Sequence, residues 1–244
     1  MKKTFPVLLF LITYGQQSLF AQTSAGIITY QIKTNMHRSI PEHRQQMMEM
    51  VPEFNIEEAR LHFDADESFY KPVEADTEPD MEDNSGPSMR IRRPRNEIYV
   101  NLNELRIVSL REFMGKKYVV EDTLRMRPWK IGTETREIEG YLCRKASFAD
   151  EERKINVVAW YTDALRPFLG PDSFNTLPGA VLLVDVNDGE RILSAKAIDL
   201  RPLKENEIRM PGGKLKMTEQ EYRDMVTRQM ERIRANGGNV IIRN

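Results

Sequence analysis

The stretch AVLLVDVNDGERILSAKAI, residues 180–198, decides the fold class. Its two halves, 180–186 and 191–198, are rich in β-forming residues and flank Asn187-Asp188-Gly189. Asn, Asp and Gly tolerate the positive φ angles that tight hairpin turns require. The pattern therefore predicts two antiparallel strands joined by a short turn.

Similar patterns of alternating or β-rich residues recur along the chain, and most of them are separated by turn signals rather than by helical segments. About ten strands of this kind predict a mainly β, or α+β, fold. We expect a curved antiparallel sheet or half-barrel, with one or two helices packed on it. The remaining predicted strands are 26–33, 59–63, 68–71, 97–102, 105–111, 117–122, 140–147 and 155–161.

A C-terminal helix is well specified. Thr218 and Glu221 form a capping box at its start, and Gly237 is a stop signal at its end. The segment 239–242 could then return as a short strand. The apolar residues of the helix recur on one face, namely Tyr222, Met225, Val226, Met230 and Ile233.

A second, shorter helix is predicted over residues 39–51. Ser39 can cap it, Pro41 suits its first turn, and Pro52 ends it. Its apolar face would consist of Met47, Met48 and Val51.

The N-terminus has the build of a secretory signal peptide. Lys2 and Lys3 precede an uncharged apolar run over residues 5–12, which is too short to span a bilayer. We expect cleavage after Ala21, with Ala25 as the alternative site. The chain then divides into a signal peptide, 1–21, and a single β-rich domain, 22–244, that is soluble and lies in the periplasm, at the cell surface or outside the cell.

Composition excludes several function classes. The chain has 36 basic and 37 acidic residues, so no global positive field favours nucleic acid. Its single cysteine excludes an intrachain disulfide framework and a cysteine-built zinc site. Cys143 lies in a predicted strand, which favours a buried thiol.

A set of short motifs follows in a fixed order between residues 129 and 198. They are WKI at 129–131, IEGYLCRKA at 138–146, AWYT at 159–162, GP at 170–171, Phe174, and LPGAV at 177–181. Their order and spacing resemble the GLPGLI family of envelope proteins from Bacteroidota. The resemblance implies export and a mainly β domain, and it implies no activity, because the function of that family is unknown. The motif residues of this chain are Trp129, Gly140, Tyr141, Cys143, Trp160, Tyr161, Leu177, Pro178 and Gly179.

The naming motif of that family departs here at three of six positions and reads Thr176-Leu177-Pro178-Gly179-Ala180-Val181. Thr176 replaces the first glycine and would be strained if that position required positive φ. Leu177-Pro178-Gly179 predicts a type II turn in which Gly179 has positive φ. The alternative is a loop that contacts a ligand.

The aromatic residues Trp129, Trp160 and Tyr161 could line a pocket for an apolar ligand, but core packing is the favoured interpretation. An acidic run within 74–83 is followed by arginines within 90–95, which predicts a surface loop or hairpin tip with a possible role in partner binding.

Methionine and histidine are concentrated within residues 36–50, and thioether and imidazole groups suit copper(I). His43 and Met47 would share one face of a helix, and His37 lies just before them. The alternative is that the methionines fill core space and the histidines are solvated.

No motif indicates a known catalytic arrangement. The sequence has no Gly-x-Ser-x-Gly elbow, no His-Glu-x-x-His helix and no phosphate-binding glycine loop. The leading hypothesis is therefore an exported, non-enzymatic protein without a cofactor. It would bind an envelope or outer-membrane partner, or a small apolar ligand. The alternatives are a copper protein that uses segment 36–50 and an exported hydrolase of an unfamiliar type.

Overall fold

Strands dominate the computed structural model, which describes residues 25–40, 42–73, 96–151 and 154–235. Twelve strands form one mixed sheet, and one α-helix, α1 (Glu219–Ala235), follows the last of them. The predicted mainly β, curved sheet with a packed helix is confirmed. The strands are β1 Gly26–Asn35, β2 Phe54–Phe63, β3 Glu67–Pro72, β4 Glu97–Asn101, β5 Arg106–Phe113, β6 Lys116–Thr123, β7 Lys130–Ile138, β8 Tyr141–Asp150, β9 Ile155–Thr162, β10 Ala180–Val186, β11 Arg191–Asp199 and β12 Leu215–Thr218.

The hairpin predicted from residues 180–198 is present. Val186 of β10 lies opposite Arg191 of β11 in the ladder. Asn187, Asp188 and Gly189 have φ angles of 54°, 53° and 85°, and the Asp185 carboxylate accepts a hydrogen bond of 2.6 Å from the Gly189 N–H. The turn residues therefore adopt the left-handed geometry for which their sequence is suited.

Two strands, β7 and β12, were not predicted from the sequence. β7 carries Lys130, Glu134, Arg136 and Glu137 and is exposed on both faces, so it lacks the alternation by which the other strands were found. β12 has only four residues and pairs in parallel with β6, whereas an antiparallel sheet was expected. The other strand pairs are antiparallel, apart from an isolated parallel bridge between Leu169 and Ala180.

The predicted α-helix over 39–51 is wrong. The chain forms 3₁₀ segments at His37–Ser39 and Glu42–Glu49 instead, and Ser39 lies inside the first of them rather than capping a longer helix. Met48 and Val51 of the expected apolar face are only half-buried, and Met50 beside them is 81% exposed. A short α-helix depends on burial of an apolar face, and too little of one is buried here.

The strand order forces the sheet to curl. The order is β12-β6-β5-β4-β3-β2-β1-β11-β10-β9-β8-β7, so β6 and β7 are ten strand spacings apart, about 48 Å in a flat sheet. Only the segment 124–129 joins them, and it spans at most about 25 Å. The two ends of the sheet must therefore approach each other.

The main core lies on the inner face of this curled sheet. Tyr30 is fully buried there, and its hydroxyl donates a hydrogen bond of 2.6 Å to the Val181 carbonyl. The loop 163–179, between β9 and β10, packs onto the same core. Its buried apolar residues are Leu165, Leu169, Phe174 and Leu177.

Helix α1 packs on the inner face near the β12 edge. Tyr222 contacts Tyr118 edge-on, with ring centroids 5.9 Å apart, beside Phe113 and Val120. The predicted capping box is present: the Thr218 N–H donates to the Glu221 carboxylate at 2.8 Å, and the Glu221 N–H donates to Thr218 Oγ1 at 3.2 Å.

The segment 200–214, here called the crossover segment, links β11 to β12 across the outer face of β1–β6. Ile208 packs on an outer cluster that includes Phe69 and Val119, and the Arg209 guanidinium lies 5.9 Å from the Phe69 ring centroid. This segment adds an apolar layer to part of the outer face of β2–β6. Ile56 of β2 stays exposed, and the outer face of β8–β11 lies beyond the segment.

Several predictions fall outside the described residues: the leader 1–21, the charged loop 74–95, Gly237 and the strand 239–242. No helix within the described ranges has the length and hydropathy needed to cross a membrane.

Candidate interaction surface

Trp129 of the predicted motif residues and Thr176 of the naming motif lie where the ends of the sheet are joined. The Trp129 ring packs edge-on against Phe148, with centroids 4.6 Å apart, and its Nε1–H donates a hydrogen bond of 3.0 Å to Thr176 Oγ1. The Arg127 N–H donates to the same hydroxyl at 3.4 Å. Thr176 therefore ties segment 124–129 to the loop 163–179.

Thr176 is not strained. It is buried, and it is not among the described residues with positive φ, so the departure from the family's first glycine does not require an unusual backbone. Its hydroxyl accepts the two hydrogen bonds from segment 124–129, which a glycine at this position lacks the atoms to accept.

The predicted type II turn at Leu177-Pro178-Gly179 is wrong in its main feature, because Gly179 does not have positive φ. The glycine is required for close packing instead: a Cβ on Gly179 would lie 2.1 Å from the Thr162 carbonyl oxygen. Leu177 is fully buried, and Pro178 is exposed. The motif therefore lets the loop 163–179 pass close to the end of β9.

Gly140 serves a different purpose. Glu139 and Gly140 have φ angles of 49° and 79° and join β7 to β8 in a two-residue turn, the geometry of a type I′ hairpin. Tyr141 is half-buried after the turn, and Cys143 is buried, as predicted. Burial raises the pKa of the Cys143 thiol to about 11, against a smaller opposing effect from Arg136.

The neighbouring aromatic residues Trp160 and Tyr161 lie on opposite faces of β9. Tyr161 is buried in the inner core, in agreement with the core interpretation. Trp160 is half-buried on the outer face, where the Arg136 guanidinium lies 4.3 Å from its ring centroid. Trp160 is thus the motif aromatic available at the outer surface.

Of the proposed copper ligands, His37 is the one whose side chain lies in the described part of the chain. His37 Nε2 hydrogen-bonds to the Val51 carbonyl at 2.8 Å, and the side chains of His43 and Met47 lie outside the described part. Among the described residues no three His, Cys, Asp or Glu side chains form a metal-binding group. Copper binding through segment 36–50 stays a prediction.

His62 is buried on the outer face of β2, opposite Phe69, and is 5% exposed. Neither of its ring nitrogens has a hydrogen-bond partner among the described residues. Burial lowers its pKa to about 4; the charges of Lys71, Arg60 and Arg201 act in the same direction, and Glu207 opposes them. With no hydroxyl or thiol bonded to its ring, His62 does not form a nucleophile–base pair.

The loop 163–179 also places an ion pair at one end of the inner face. Asp172, with φ of 54°, lies 2.9 Å from Arg191 of β11. Burial and the charge of Asp172 raise the pKa of the nearby Tyr70 hydroxyl well above its usual value. A neutral tyrosine beside a paired aspartate anchors the loop and offers no free nucleophile or base.

The inner face offers little room for a small apolar ligand. A pocket in the described part is an open depression lined by Arg127, Pro128, Phe148 and residues 149–151. The Arg127 guanidinium lies 5.3 Å from the Phe148 ring centroid and caps that ring. Elsewhere the inner face is occupied by the chain's own apolar side chains.

The outer face of β8–β11 presents the most suitable surface for a partner. Ladder registers place Leu183 opposite Trp160, and Asp185 opposite both Val158 and Ile192. Residues directly opposite in a ladder point to the same face, so these side chains share one face. On it Asp185 lies between Val158 and Ile192, and Lys33 lies between Ile192 and Ile56. The outer patch consists of Val158, Trp160, Leu183 and Ile192 on β9–β11, which are half-buried, and of Ile56 on nearby β2, which is 58% exposed.

Sequence reasoning missed the outer patch and strand β7 beside it. The patch residues were recognised only as members of strands, because alternation does not say which face is covered by another part of the chain. For β7 a signal was available: the Glu139-Gly140 turn before β8 implies a partner strand on its N-terminal side.

Comparison with solved structures identifies folds similar to this one. Two crystal structures of PNGF-II, in the P21 and C2 space groups, match with TM-scores of 0.55 and 0.54 and 16% sequence identity each. The match covers 84% and 83% of this chain but only 33% and 32% of PNGF-II. No model of a protein family and no curated protein matches the sequence. This chain therefore shares its fold with about one third of PNGF-II, and the similarity concerns the fold alone.

Proposed function

We propose that this chain is an exported, non-enzymatic protein of the cell envelope that binds a macromolecular partner through the outer patch. The proposal rests on one observation, the grouping of half-buried apolar side chains on the outer face of β9–β11. They are Val158, Trp160, Leu183 and Ile192. Exposed apolar side chains that lie among charged ones, here Lys33 and Asp185, are typical of protein-binding sites.

Three observations support a partner rather than a small ligand or a substrate. The inner face is filled by the chain's own residues. His37 and His62, the histidines whose side chains are described, do not activate a hydroxyl or thiol. The fold also recurs as one third of the longer PNGF-II chain, which is consistent with a module that works beside other protein surfaces.

The proposal includes membership of the GLPGLI family and export through the leader 1–21. It is supported by the order and spacing of the motif residues within 129–181 and by the charged and apolar runs of residues 1–12. Mass spectrometry of the protein purified from the producing cell tests the leader. A mature chain that begins at Gln22 or Gly26 supports export, and a chain that retains residues 1–21 contradicts it.

The partner is tested by capture from a solubilised envelope fraction on the immobilised protein. Ile56→Lys and Ile192→Lys place a charge in the outer patch, where an apolar partner surface would have to desolvate it. Met114→Lys is the matched control, since Met114 is 59% exposed in the β5–β6 turn, away from the patch.

We expect the same partner bands with the wild type and with Met114→Lys, and their loss with both patch variants. Equal capture by all four proteins would contradict the outer patch as the binding site. Metal analysis of the same wild-type preparation tests the copper hypothesis separately, because that hypothesis requires stoichiometric copper in the purified protein.

A further inference from the structure

Strand β7 ends the sheet, and its outer edge is unpaired within the described chain. It is nine residues long, and both of its faces are exposed except at Gly132 and Ile138. The ladder of β7 with β8 is irregular between Ile131 and Thr135, so the regular part of this edge lies at residues 134–138. There it presents main-chain N–H and C=O groups that can accept another strand.

The turn that follows β7 fixes which groups face outward. Ile138 and Tyr141 flank the two-residue turn and therefore exchange both main-chain hydrogen bonds with each other. Bonded and non-bonded pairs alternate along an antiparallel ladder. Arg136, opposite Cys143, thus directs its N–H and C=O at β8, whereas Thr135 and Glu137 direct theirs into the free edge.

The side chains on either side of Thr135 have opposite charges. The Glu134 carboxylate accepts a hydrogen bond of 2.8 Å from Lys145 Nζ, and the Arg136 guanidinium stacks on Trp160. Both side chains are therefore held on the outer face of the sheet. A two-fold axis through Thr135 would place Glu134 of one copy opposite Arg136 of another, twice over. Opposite charges in directly facing positions favour strand pairing.

Most other symmetric registers lack this match. An axis through Glu134, Arg136 or Glu137 sets two like charges directly against each other, which disfavours pairing. An axis through Thr133 brings Glu134 opposite Gly132 and forms no ion pair. An axis through Gly132 would also set Glu134 opposite Lys130, but it lies in the stretch between Ile131 and Thr135 where the ladder with β8 is irregular. The register centred on Thr135 therefore pairs the charges of β7 best, whereas these charges discourage pairing with an arbitrary strand.

We propose that two copies of this chain pair antiparallel through β7, centred on Thr135, with Glu134 of each copy opposite Arg136 of the other. The occupant of the edge is thus a second copy of the chain. The two curled sheets become continuous, and the two outer patches lie on the same side of the joined sheet. This inference does not depend on the proposed function.

Charge reversal tests the pairing on the purified full chain by analytical ultracentrifugation. The wild type is expected to dimerise. Glu134→Arg and Arg136→Glu should each raise the dimer dissociation constant at least about tenfold, because two attractive pairs become repulsive. An equimolar mixture of these two variants should form a heterodimer with restored affinity.

Cysteine cross-linking tests the register. Thr135→Cys should form a disulfide-linked dimer under mild oxidation, because residues facing each other in a bonded pair have Cα atoms about 5.5 Å apart. Thr133→Cys is the control: in this register residue 133 faces residue 137 of the other copy, and the two cysteines would be about 13 Å apart.

A wild-type chain that stays monomeric at all concentrations overturns the proposal. A dimer whose dissociation constant is unchanged by both charge reversals also overturns it. So does a dimer that is cross-linked through Thr133→Cys and not through Thr135→Cys. Circular dichroism of each variant verifies that the fold is retained, which the exposure of β7 leads us to expect.

Discussion

The indole Nε1–H of Trp129 donates a hydrogen bond of 3.0 Å to Thr176 Oγ1, across 47 positions of sequence. Trp129 ends the short segment that links the two ends of the sheet, and Thr176 lies in the loop 163–179 on the inner face. This contact therefore links the closure of the sheet to the loop that fills it.

Replacing Thr176 with Val removes the acceptor and keeps the shape of the side chain. We expect a loss of about 1–2 kcal/mol in the free energy of unfolding, because a partly buried indole N–H is left without a partner. Urea denaturation measures this change in the free energy of unfolding. In a Trp129→Phe background the same substitution should cost less, and an equal cost in both backgrounds would show that this hydrogen bond contributes nothing.

Gly179→Ala tests the close approach of the motif loop to β9. The new Cβ would lie 2.1 Å from the Thr162 carbonyl oxygen, a backbone atom that has no rotamer with which to move away. We expect a destabilisation of about 1–3 kcal/mol. Gly212→Ala is the matched control, since a Cβ there meets nothing within 4 Å, and its effect should stay within about 0.5 kcal/mol. Similar melting temperatures for the two variants would refute the packing argument.

His62 makes stability dependent on pH. Its pKa is about 4 in the folded protein and 6.5 when exposed, so the unfolded state binds the proton more readily. The contribution is complete above pH 6.5 and is lost as the pH falls towards 4. The pKa difference of about 2.5 corresponds to about 3 kcal/mol.

His62→Leu removes this titration and also the two unpartnered ring nitrogens. Urea denaturation at pH 7 and at pH 4.5 should show a smaller acid-induced loss of stability for the variant than for the wild type. Other acid-sensitive groups are common to both proteins and cancel in the comparison. An identical loss in both would mean that His62 is already protonated, or solvated, at neutral pH.

Cys143 should be chemically inert in the folded protein. Its thiol is buried, and its pKa is raised to about 11, so the reactive thiolate is scarce at pH 8. Labelling with iodoacetamide followed by mass spectrometry is expected to modify the chain in denaturing urea and leave it unmodified without urea. Rapid labelling of the native protein would contradict this, and so would a wild-type dimer joined through a disulfide.

The sequence by itself determined the features that depend on neighbouring residues. The β10–β11 hairpin follows from Asn187-Asp188-Gly189, because only a few residue types adopt positive φ at low cost. The start of α1 follows from Thr218 and Glu221, which satisfy each other's main-chain groups within one turn.

The tertiary structure decided what depends on distant residues. The predicted helix over 39–51 failed because the surrounding structure buries too little of its apolar face, and β7 formed with exposed charges because β8 and the Glu139-Gly140 turn supply its pairing. Alternation along the sequence distinguishes the two faces of each strand, but it does not show which face is covered by another part of the chain. Only the paths of segments 124–129, 163–179 and 200–214 across the sheet determine which face becomes the core and where the outer patch lies, because each packs against strands far from it in sequence.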